Sequence, residues 1–488
     1  MVALVACEFP KPADIAGEAG PPPRTLTVTT TGPGTVTSVP AGISCAGSTC
    51  TTAFDDGVTV ALTATPNANA IFTGYGGACA GPQAGCDLVM NADRTVTATF
   101  EPFQCTPSTT TCEQQQLIVC DAVGHATITA CPLGCHPSLT RCYDLTPSNV
   151  GITACLDASA SEPDVAIPDG AIINTDDGTI TTAAGAPLNV ASDLIAAPTD
   201  GVAVRCFKMK SASIGNVVAV GTPALAIAAT GSVTLTGELS ATAHGPTGAA
   251  PGSIRTSITG EGGIQTGNLS TLSGGGGGGF GGPGADGGSG GIYTGGRGGL
   301  ANGRPDLVPL RGGCRGGSGG TATVFYWGGG AIQISTRADI HIRGGGGISA
   351  NGGHGAYLPG TSQNYIPWGG GSGGGILLEA GSVVVDDGGF IAANGGGGGG
   401  AAAGQDGQNS TSPATGGPGA PTGTVAKGRG GDGAALTAAA TNGESINGWG
   451  GGGGGGVGRI RINTVTAFTP AATAVISPAA TTALPSRR

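Results

Sequence analysis

Three stretches of the chain, each about 22 residues long, repeat one pattern. They read A-L-A-I-A-A-T-G-S-V-T-L-T-G-E-L-S-A-T-A-H-G from Ala224, A-I-Q-I-S-T-R-A-D-I-H-I-R-G-G-G-G-I-S-A-N-G-G from Ala331, and G-I-L-L-E-A-G-S-V-V-V-D-D-G-G-F-I-A-A-N-G-G from Gly375; a partial copy, R-I-R-I-N-T, follows Gly458. Every copy carries three short runs in which apolar residues alternate with polar or small ones, the period of a strand with one buried face. A unit of that size cannot enclose a core alone, so neighbouring copies must stack, and three strands per copy make one turn of a right-handed parallel β-helix. Alternation assigns the inward columns. Ile332, Ile334, Ile340, Ile342 and Ile348 are predicted to stack against Ile376, Leu378, Val383, Val385 and Ile391, with Ile227, Val233, Leu235 and Leu239 in the layer before and Ile460 and Ile462 in the layer after. Gln333, Asp339 and His341 fall on outward positions.

Glycine interrupts the copies. Of 100 glycines, 75 lie between Pro251 and Gly458, in runs such as Gly274 to Gly279, Gly395 to Gly400 and Gly450 to Gly456. The three inserts enter at the same step of the repeat, past His244-Gly245, Asn351-Gly-Gly and Asn394-Gly-Gly, so all are expected to leave the helix at one corner. Two states are open to them. One is flexible linker; the other is a stack of polyproline II strands, which rise about 3.1 Å per residue and pack closely where no Cβ intervenes. Glycine loses more backbone entropy on ordering than any other residue, which keeps both readings in play.

Only 10% of residues are charged, against roughly 25% in an average globular protein, and the net charge is -10. The sole basic run is Arg487-Arg488, so nucleic acid is not expected as a partner. No apolar stretch of about 18 residues marks a membrane-spanning helix, which leaves a lipid anchor as the expected route of membrane attachment. Fourteen cysteines, ten of them between Cys45 and Cys142, fit an oxidising compartment and therefore export. Leu4-Val5-Ala6-Cys7 resembles the lipobox of bacterial lipoproteins. The resemblance implies that Cys7 is acylated and that the apolar signal region lies upstream of Met1; otherwise the four-residue match is chance. Glu8 to Pro23 reads as a polar tether, so residues 1–23 are assigned to anchor and tether.

Residues 24–102 alternate in short strands, including Thr25-Leu-Thr-Val-Thr-Thr, Val58-Thr-Val-Ala-Leu-Thr-Ala and Thr95-Val-Thr-Ala-Thr-Phe, which predicts a small antiparallel β module. Their text, G-P-G-T-V-T-S-V-P-A-G-I-S-C, L-T-A-T-P, F-T-G-Y-G-G-A-C and M-N-A-D-R-T-V-T-A-T-F, resembles the divergent internalin-type B-repeat of bacterial surface proteins. In that family a Trp commonly follows the F-x-G step, where this chain has Tyr75. The resemblance implies a spacer or adhesion module. Cys45 with Cys50 and Cys79 with Cys86 are close enough for local disulfides of about 2 kcal/mol each. Residues 103–145 form a Cys-rich knot, in which Cys105, Cys112, Cys120, Cys131, Cys135 and Cys142 are expected to make three disulfides. Zinc, drawing on His125 and His136, is the rival, but no C-x2-C pair is present. In the solenoid, residues 146–480, Cys155 is expected to pair with Cys206, leaving Cys314 for an intermolecular bridge unless the three pair differently. Residues 481–488 are a tail.

A parallel β-helix also carries pectate lyases and polygalacturonases. Fragments of the polygalacturonase signature occur at Asn174-Thr175-Asp176 with Asp177, at Gly353-His354-Gly355, at Asp386-Asp387 and at Arg459-Ile460-Arg461. The paired Asp follow the Gly-His-Gly element here, the reverse of that family's order, and Asp386-Asp387 reads as a solvated turn. Gly281-Gly-Pro-Gly-Ala-Asp286 starts like a nonapeptide calcium repeat, yet Gly288 stands where a large apolar residue belongs. No glycine run is followed by Lys-Ser or Lys-Thr, as a phosphate loop requires. No metal, cofactor or catalytic residue is expected.

Aromatic residues are scarce and gather in or beside the inserts. Tyr357, Tyr365, Trp368, Trp327 and Trp449 are the candidate contact surface, because exposed aromatics anchor glycan and protein recognition; Phe325 to Trp327 are read rather as caps on side-chain-free glycine layers. The C-terminal part also resembles glycine-rich β-solenoid adhesins, including the tip domains of some phage tails. Together these features predict an all-β, exported cell-surface protein of structural or adhesive role, with a surface glycan, a protein or its own copies as partner. The alternatives are a β-helix polysaccharide-degrading enzyme and a passive coat protein.

Overall fold

The structure, a computed structural model, describes residues 21–67, 70–102, 105–106, 108–113, 115–121, 126–136, 140–149, 151–196, 202–244, 250–253, 260–263, 267–268, 271–317, 327–356, 367–420 and 426–488. It divides into two compact units, residues 1–130 with 137–141 and residues 131–136 with 142–488. The division falls inside the Cys-rich stretch, not at its ends. A disulfide joins Cys131 to Cys142, and Asp144 to Thr146 pair with Ser486 to Arg488, which ties both short segments to the second unit.

In the first unit, threonines alternating with Leu and Val place one apolar face on each strand. β1 (Arg24–Thr31), β2 (Gly34–Val39), β3 (Ser44–Ala46), β4 (Thr49–Phe54), β5 (Thr59–Pro66), β6 (Ala70–Gly77), β7 (Gly85–Val89) and β8 (Arg94–Pro102) form two sheets, ordered β4-β1-β8-β6 and β3-β2-β5-β7. Leu26, Val28, Val36, Leu62, Met90 and Val96 fill the space between them. The antiparallel expectation fails at one pair: β1 and β8 run parallel, Val28 beside Val96. Parallel neighbours need a long crossover, and β2 to β7 supply it. Disulfides join Cys45 to Cys50, Cys79 to Cys86 and Cys105 to Cys120.

The second unit is a parallel β-helix of three sheets. The first contains Val204–Met209, Ala224–Ala229, Ala331–Thr336, Gly375–Ala380 and Arg459–Thr464; the second Ser211–Ile214, Val233–Leu235, Asp339–Ile342 and Ser382–Val385; the third Val217–Val220, Glu238–Ser240, Gly347–Ser349 and Phe390–Ala392. Register follows the predicted columns. Ile332 pairs with Ile376 and Ile376 with Ile460; Ile334 pairs with Leu378 and Leu378 with Ile462. Val233, Ile340 and Val383 align in the second sheet, and Leu239, Ile348 and Ile391 in the third. These side chains form one continuous core, extended by Phe207, Met209 and Ile214 from a preceding coil.

Gln333 departs from the solvent-facing expectation, since it is fully buried. A short helix, α1 (Ile152–Ala158), and the segment before it cover the outer face of the first sheet, with Ile152 and Leu156 against Ala226, Ala228 and Leu377. A buried carboxylate sits under this cover. Glu379 accepts hydrogen bonds from Gln333 Nε2 at 2.8 Å, Ser335 Oγ at 3.0 Å, Asn463 Nδ2 at 3.2 Å and the backbone N–H of Ser148 at 3.2 Å. A charge taken from water is tolerable only with such satisfaction. Cys155 and Cys206 are disulfide-bonded.

Each insert leaves the coils after a strand of the third sheet and returns to a strand of the first, at the single corner expected. Their backbone hydrogen bonds repeat every three residues. Gly451 and Gly454 donate to Glu444 and Thr441, Gly452 and Gly455 to Gly399 and Gly396, and Gly453 and Gly456 to Gly275 and Gly278. The same strand accepts from Gly288 and Ala285, from Gly370 and Gly373, and from Gly431 and Ala434. It therefore has six neighbours. Three residues per turn and no internal hydrogen bond are the marks of polyproline II, and none of these glycines has a left-handed φ. In their described residues the inserts are stacked strands, not linkers.

Following the same bonds outward, the described strands array in five rows: 260–263 and 295–302; 284–288, 274–279 and 312–317; 441–444, 450–456, 368–374 and 327–330; 428–434, 395–400 and 350–356; 415–417 and 404–407. Four are interior with six neighbours each, namely 274–279, 368–374, 395–400 and 450–456. Side chains have no room there: a Cβ built on Gly452 would overlap the carbonyl oxygen of Trp368, and one on Gly277 that of Gly454. Interior strands are accordingly almost pure glycine. A rim strand such as Gly295-Gly-Arg-Gly-Gly-Leu300 keeps two glycines per turn inward and turns Arg297 and Leu300 to solvent.

Candidate functional site

Leaving and returning ends of the inserts pair at the corner, through Gly330 to Ala241, Gly374 to Ala350 and Gly458 to Ala393. The opposite ends of these strands make the far face of the lattice. All three tryptophans belong to returning strands and each precedes a glycine run: Trp327-Gly-Gly-Gly, Trp368-Gly-Gly-Gly and Trp449-Gly-Gly-Gly. Counted back from Ala331, Gly375 and Arg459, which share one register, they stand at 331 − 327 = 4, 375 − 368 = 7 and 459 − 449 = 10 residues. Every step is three residues, one turn of about 9.3 Å. A Cβ on Gly371 meets the Trp327 carbonyl and one on Gly452 that of Trp368, as this staircase requires.

Burial corrects the contact surface expected from sequence. Trp368 is 1% exposed and Trp449 7% exposed, because each stands at the mouth of an interior strand, where neighbours enclose it. Lys427 Nζ lies 5.8 Å from the Trp449 ring centroid. Trp327 is half-buried. Tyr357 and Tyr365 lie outside the described residues, as does Cys7. Cys314 makes no disulfide but is fully buried, so the intermolecular bridge expected of it has no access.

Among the described residues, the large apolar side chain most exposed at the far end is Ile292, at 92%. Its turn is not loose. Gly290 and Tyr293 exchange hydrogen bonds of 3.0 Å in both directions, Gly291 N–H donates to Ile446 at 3.0 Å, and Ile446 N–H donates to Ser289 at 3.0 Å. The first and third inserts thus hold each other's turns, and Tyr293 and Ile446 sit half-buried beside the bare isoleucine. Sequence reasoning missed Ile292. The signal was a lone large apolar residue in Gly290-Gly-Ile-Tyr, between rim strands recognisable by their Gly-Gly-x period.

Residues weighed for catalysis are tied to separate partners. Asp386 meets His341 Nε2 at 2.8 Å, Asp387 accepts from Thr473 Oγ1 at 2.9 Å, Asp177 closes a turn with Asn174 and Thr179, and Arg461 donates to Asn463 at 2.8 Å. His354 instead joins a clasp between inserts. Asp406 of the third insert lies 2.6 Å from His354 Nδ1 of the second and 3.1 Å from His244 Nδ1, where the first begins. Burial pushes the Asp406 carboxyl up, but hydrogen bonds from both imidazoles and the His354 N–H outweigh it and hold the group well below 3.8. The hydrogen bond to Asp406 raises His244 above 6.5, against an opposing effect of burial. Among the described residues no group of three or more His, Cys, Asp or Glu is placed to hold a metal ion.

Residues 24–104 match the family model of the divergent InlB B-repeat domain. That covers the two-sheet module of the first unit, as its residues implied. No curated protein and no solved structure matches the chain. Among the described residues no helix is long and apolar enough to cross a membrane.

Proposed function

We propose that this is an exported bacterial cell-surface protein in which a B-repeat module accompanies a β-solenoid, and that the far face of the glycine lattice makes adhesive contact. One observation carries the reading: an isoleucine exposed at 92% is held on turns that two inserts lock together. A bare apolar side chain on a soluble protein is unremarkable when it is mobile and solitary. Fixing it by hydrogen bonds at the end of a rigid lattice gives an anchor whose ordering cost is met before a partner arrives. B-repeat modules are typical of bacterial surface proteins, and the disulfides suit export. Attachment through an acylated Cys7 belongs to the same proposal; a Cys7→Ser chain that stays with the membrane fraction refutes it.

The test uses the full chain, immobilised and offered a glycan array and whole cells. Binding that falls at least about tenfold, roughly 1.4 kcal/mol, with Ile292→Asp while the thermal midpoint is unchanged supports the proposal. Binding indifferent to Ile292, or shortened polysaccharide in the same wells, overturns it, the latter in favour of a β-helix hydrolase or lyase.

A further inference from the structure

An Asn-Gly step carries the means to modify itself. The backbone nitrogen of the glycine lies close to the asparagine side-chain carbonyl carbon, and no Cβ on the glycine shields it. Ring closure expels ammonia once that nitrogen has given up its proton and the amide has turned its carbon toward it, so the rate depends on how firmly both groups are held apart. The chain has five such steps, Asn302-Gly, Asn351-Gly, Asn394-Gly, Asn442-Gly and Asn447-Gly. As local sequence they are equivalent.

The fold makes them unequal. Asn302 Nδ2 donates to the Gly279 carbonyl at 2.7 Å, and its Oδ1 accepts from Arg311 at 3.3 Å. Asn351 Nδ2 donates to Asn409 at 2.7 Å and Asn394 Nδ2 to the Ser410 carbonyl at 2.8 Å, while the N–H groups of Gly352 and Gly395 donate to Asn394 and Ala434. Asn442 Oδ1 accepts from the Asp286 N–H at 2.9 Å, and the Gly443 N–H donates to the Asp286 carbonyl at 2.9 Å. Each of these amides is tied to another segment, and in three of the four steps the attacking nitrogen is tied as well. Asn447 differs. Its side chain is exposed and, among the described residues, takes no hydrogen bond. The Gly448 N–H donates to Ile446 at 2.9 Å, inside the same turn, so no other segment holds either reacting group.

We infer that Asn447 is a self-modification site, and that its conversion unfastens the turns that carry Ile292. The Gly448 nitrogen loses its proton to base and bonds to Asn447 Cγ, the Cγ–Nδ2 bond breaks, and ammonia leaves. Water then opens the succinimide at either carbonyl, with no change of oxidation state. One product is aspartate, which sets a negative charge next to Ile446. The other is isoaspartate, in which the former side-chain Cβ joins the main-chain path. Ile446 accepts from Gly291 and donates to Ser289, both at 3.0 Å, so a longer main chain directly after it shifts the bonds that fix the bare isoleucine. On the adhesive reading of the far face, on which this one consequence rests, the reaction sets a lifetime for the contact.

The full chain is incubated in mildly alkaline buffer, folded and in denaturant, and all five steps are followed by peptide mass and by enzymatic methylation of isoaspartate. In the folded chain Asn447 is expected to convert at least about tenfold faster than each of the other four, about 1.4 kcal/mol of barrier, whereas in denaturant the five rates converge. Equal rates in the folded chain, or another step in the lead, overturn the inference. Amide exchange at Gly291 and Ile446, which reports local opening, should quicken in aged wild type and stay slow in Asn447→Gln aged alongside, because the longer side chain closes its ring far more slowly. A chain converted at Asn447 with unaltered exchange at Gly291 overturns the unfastening. Glycan and cell binding, read on the same samples, is a separate criterion: fresh chain whose binding ignores Ile292 refutes the adhesive reading, while mass and exchange still decide the site.

Discussion

Gly453 of the third insert donates its backbone N–H to the carbonyl of Gly275 in the first, at 2.9 Å. With Gly370 donating to Gly453 at 2.9 Å, that bond makes a single cooperative body of segments from three coils. Substitutions inside the lattice should therefore act on the whole unit.

Gly452→Ala is expected to cost about 1–3 kcal/mol, the range of overpacking in a well-filled core, because the new Cβ overlaps the Trp368 carbonyl. Arg297→Ala, on the solvent side of a rim strand, should stay within about 0.5 kcal/mol. Denaturant unfolding of the two chains decides it; equal midpoints would mean that the lattice yields locally.

Ile334→Ala removes a fully buried side chain between Ile227 and Leu378. A loss of about 2–5 kcal/mol is expected, with a far-UV signal retained at low temperature. Val384→Ala, on the outward face of the second sheet and 41% exposed, is the matched control.

Acidity should tune the clasp of Asp406 with His244 and His354. His244 is raised above 6.5, so its contribution is complete below that value and lost as pH climbs through the raised one. Asp406 is lowered below 3.8; its contribution is complete above that and lost as pH falls through the depressed one. Glu238 also faces His244 and favours its charged form. The advantage of wild type over Asp406→Asn in thermal midpoint should be largest between roughly pH 4 and 6.5 and smaller at pH 9. A pH-independent difference would assign the clasp to neutral hydrogen bonding.

Cysteine chemistry gives a fourth expectation. Cys314 should resist alkylation in the native chain and react once unfolded, since reactivity needs access, and non-reducing electrophoresis should show no dimer bridged through it. Removing the bridge between Cys155 and Cys206, which spans 51 residues, with Cys155→Ser/Cys206→Ser should cost about 4 kcal/mol by loop entropy. Rapid native labelling of Cys314 would show that its surroundings open.

The solenoid could be read from Ile332, Ile376 and their neighbours because a strand's alternation states which side chains face inward, and repetition states which rows they join. Threonine and valine alternating from Arg24 to Phe100 revealed the first module for the same reason. Both are side-chain patterns, and the amino-acid order alone carries them. The inserts also kept part of their code in plain view, as Trp-Gly-Gly-Gly at each return and Gly-Gly-x along the rim.

Beyond that, tertiary structure decided. A run such as Gly450 to Gly456 has no side chain to name its neighbours, so its linear text is equally that of a linker. Order came from six surrounding backbones, drawn from three inserts that only the stacked coils bring to one corner. The same enclosure hid Trp368 and Trp449, whose type alone suggested a surface, and left Ile292 bare at the far end. Burial is a property of the neighbours a residue acquires, and in this chain the decisive ones lie in other coils.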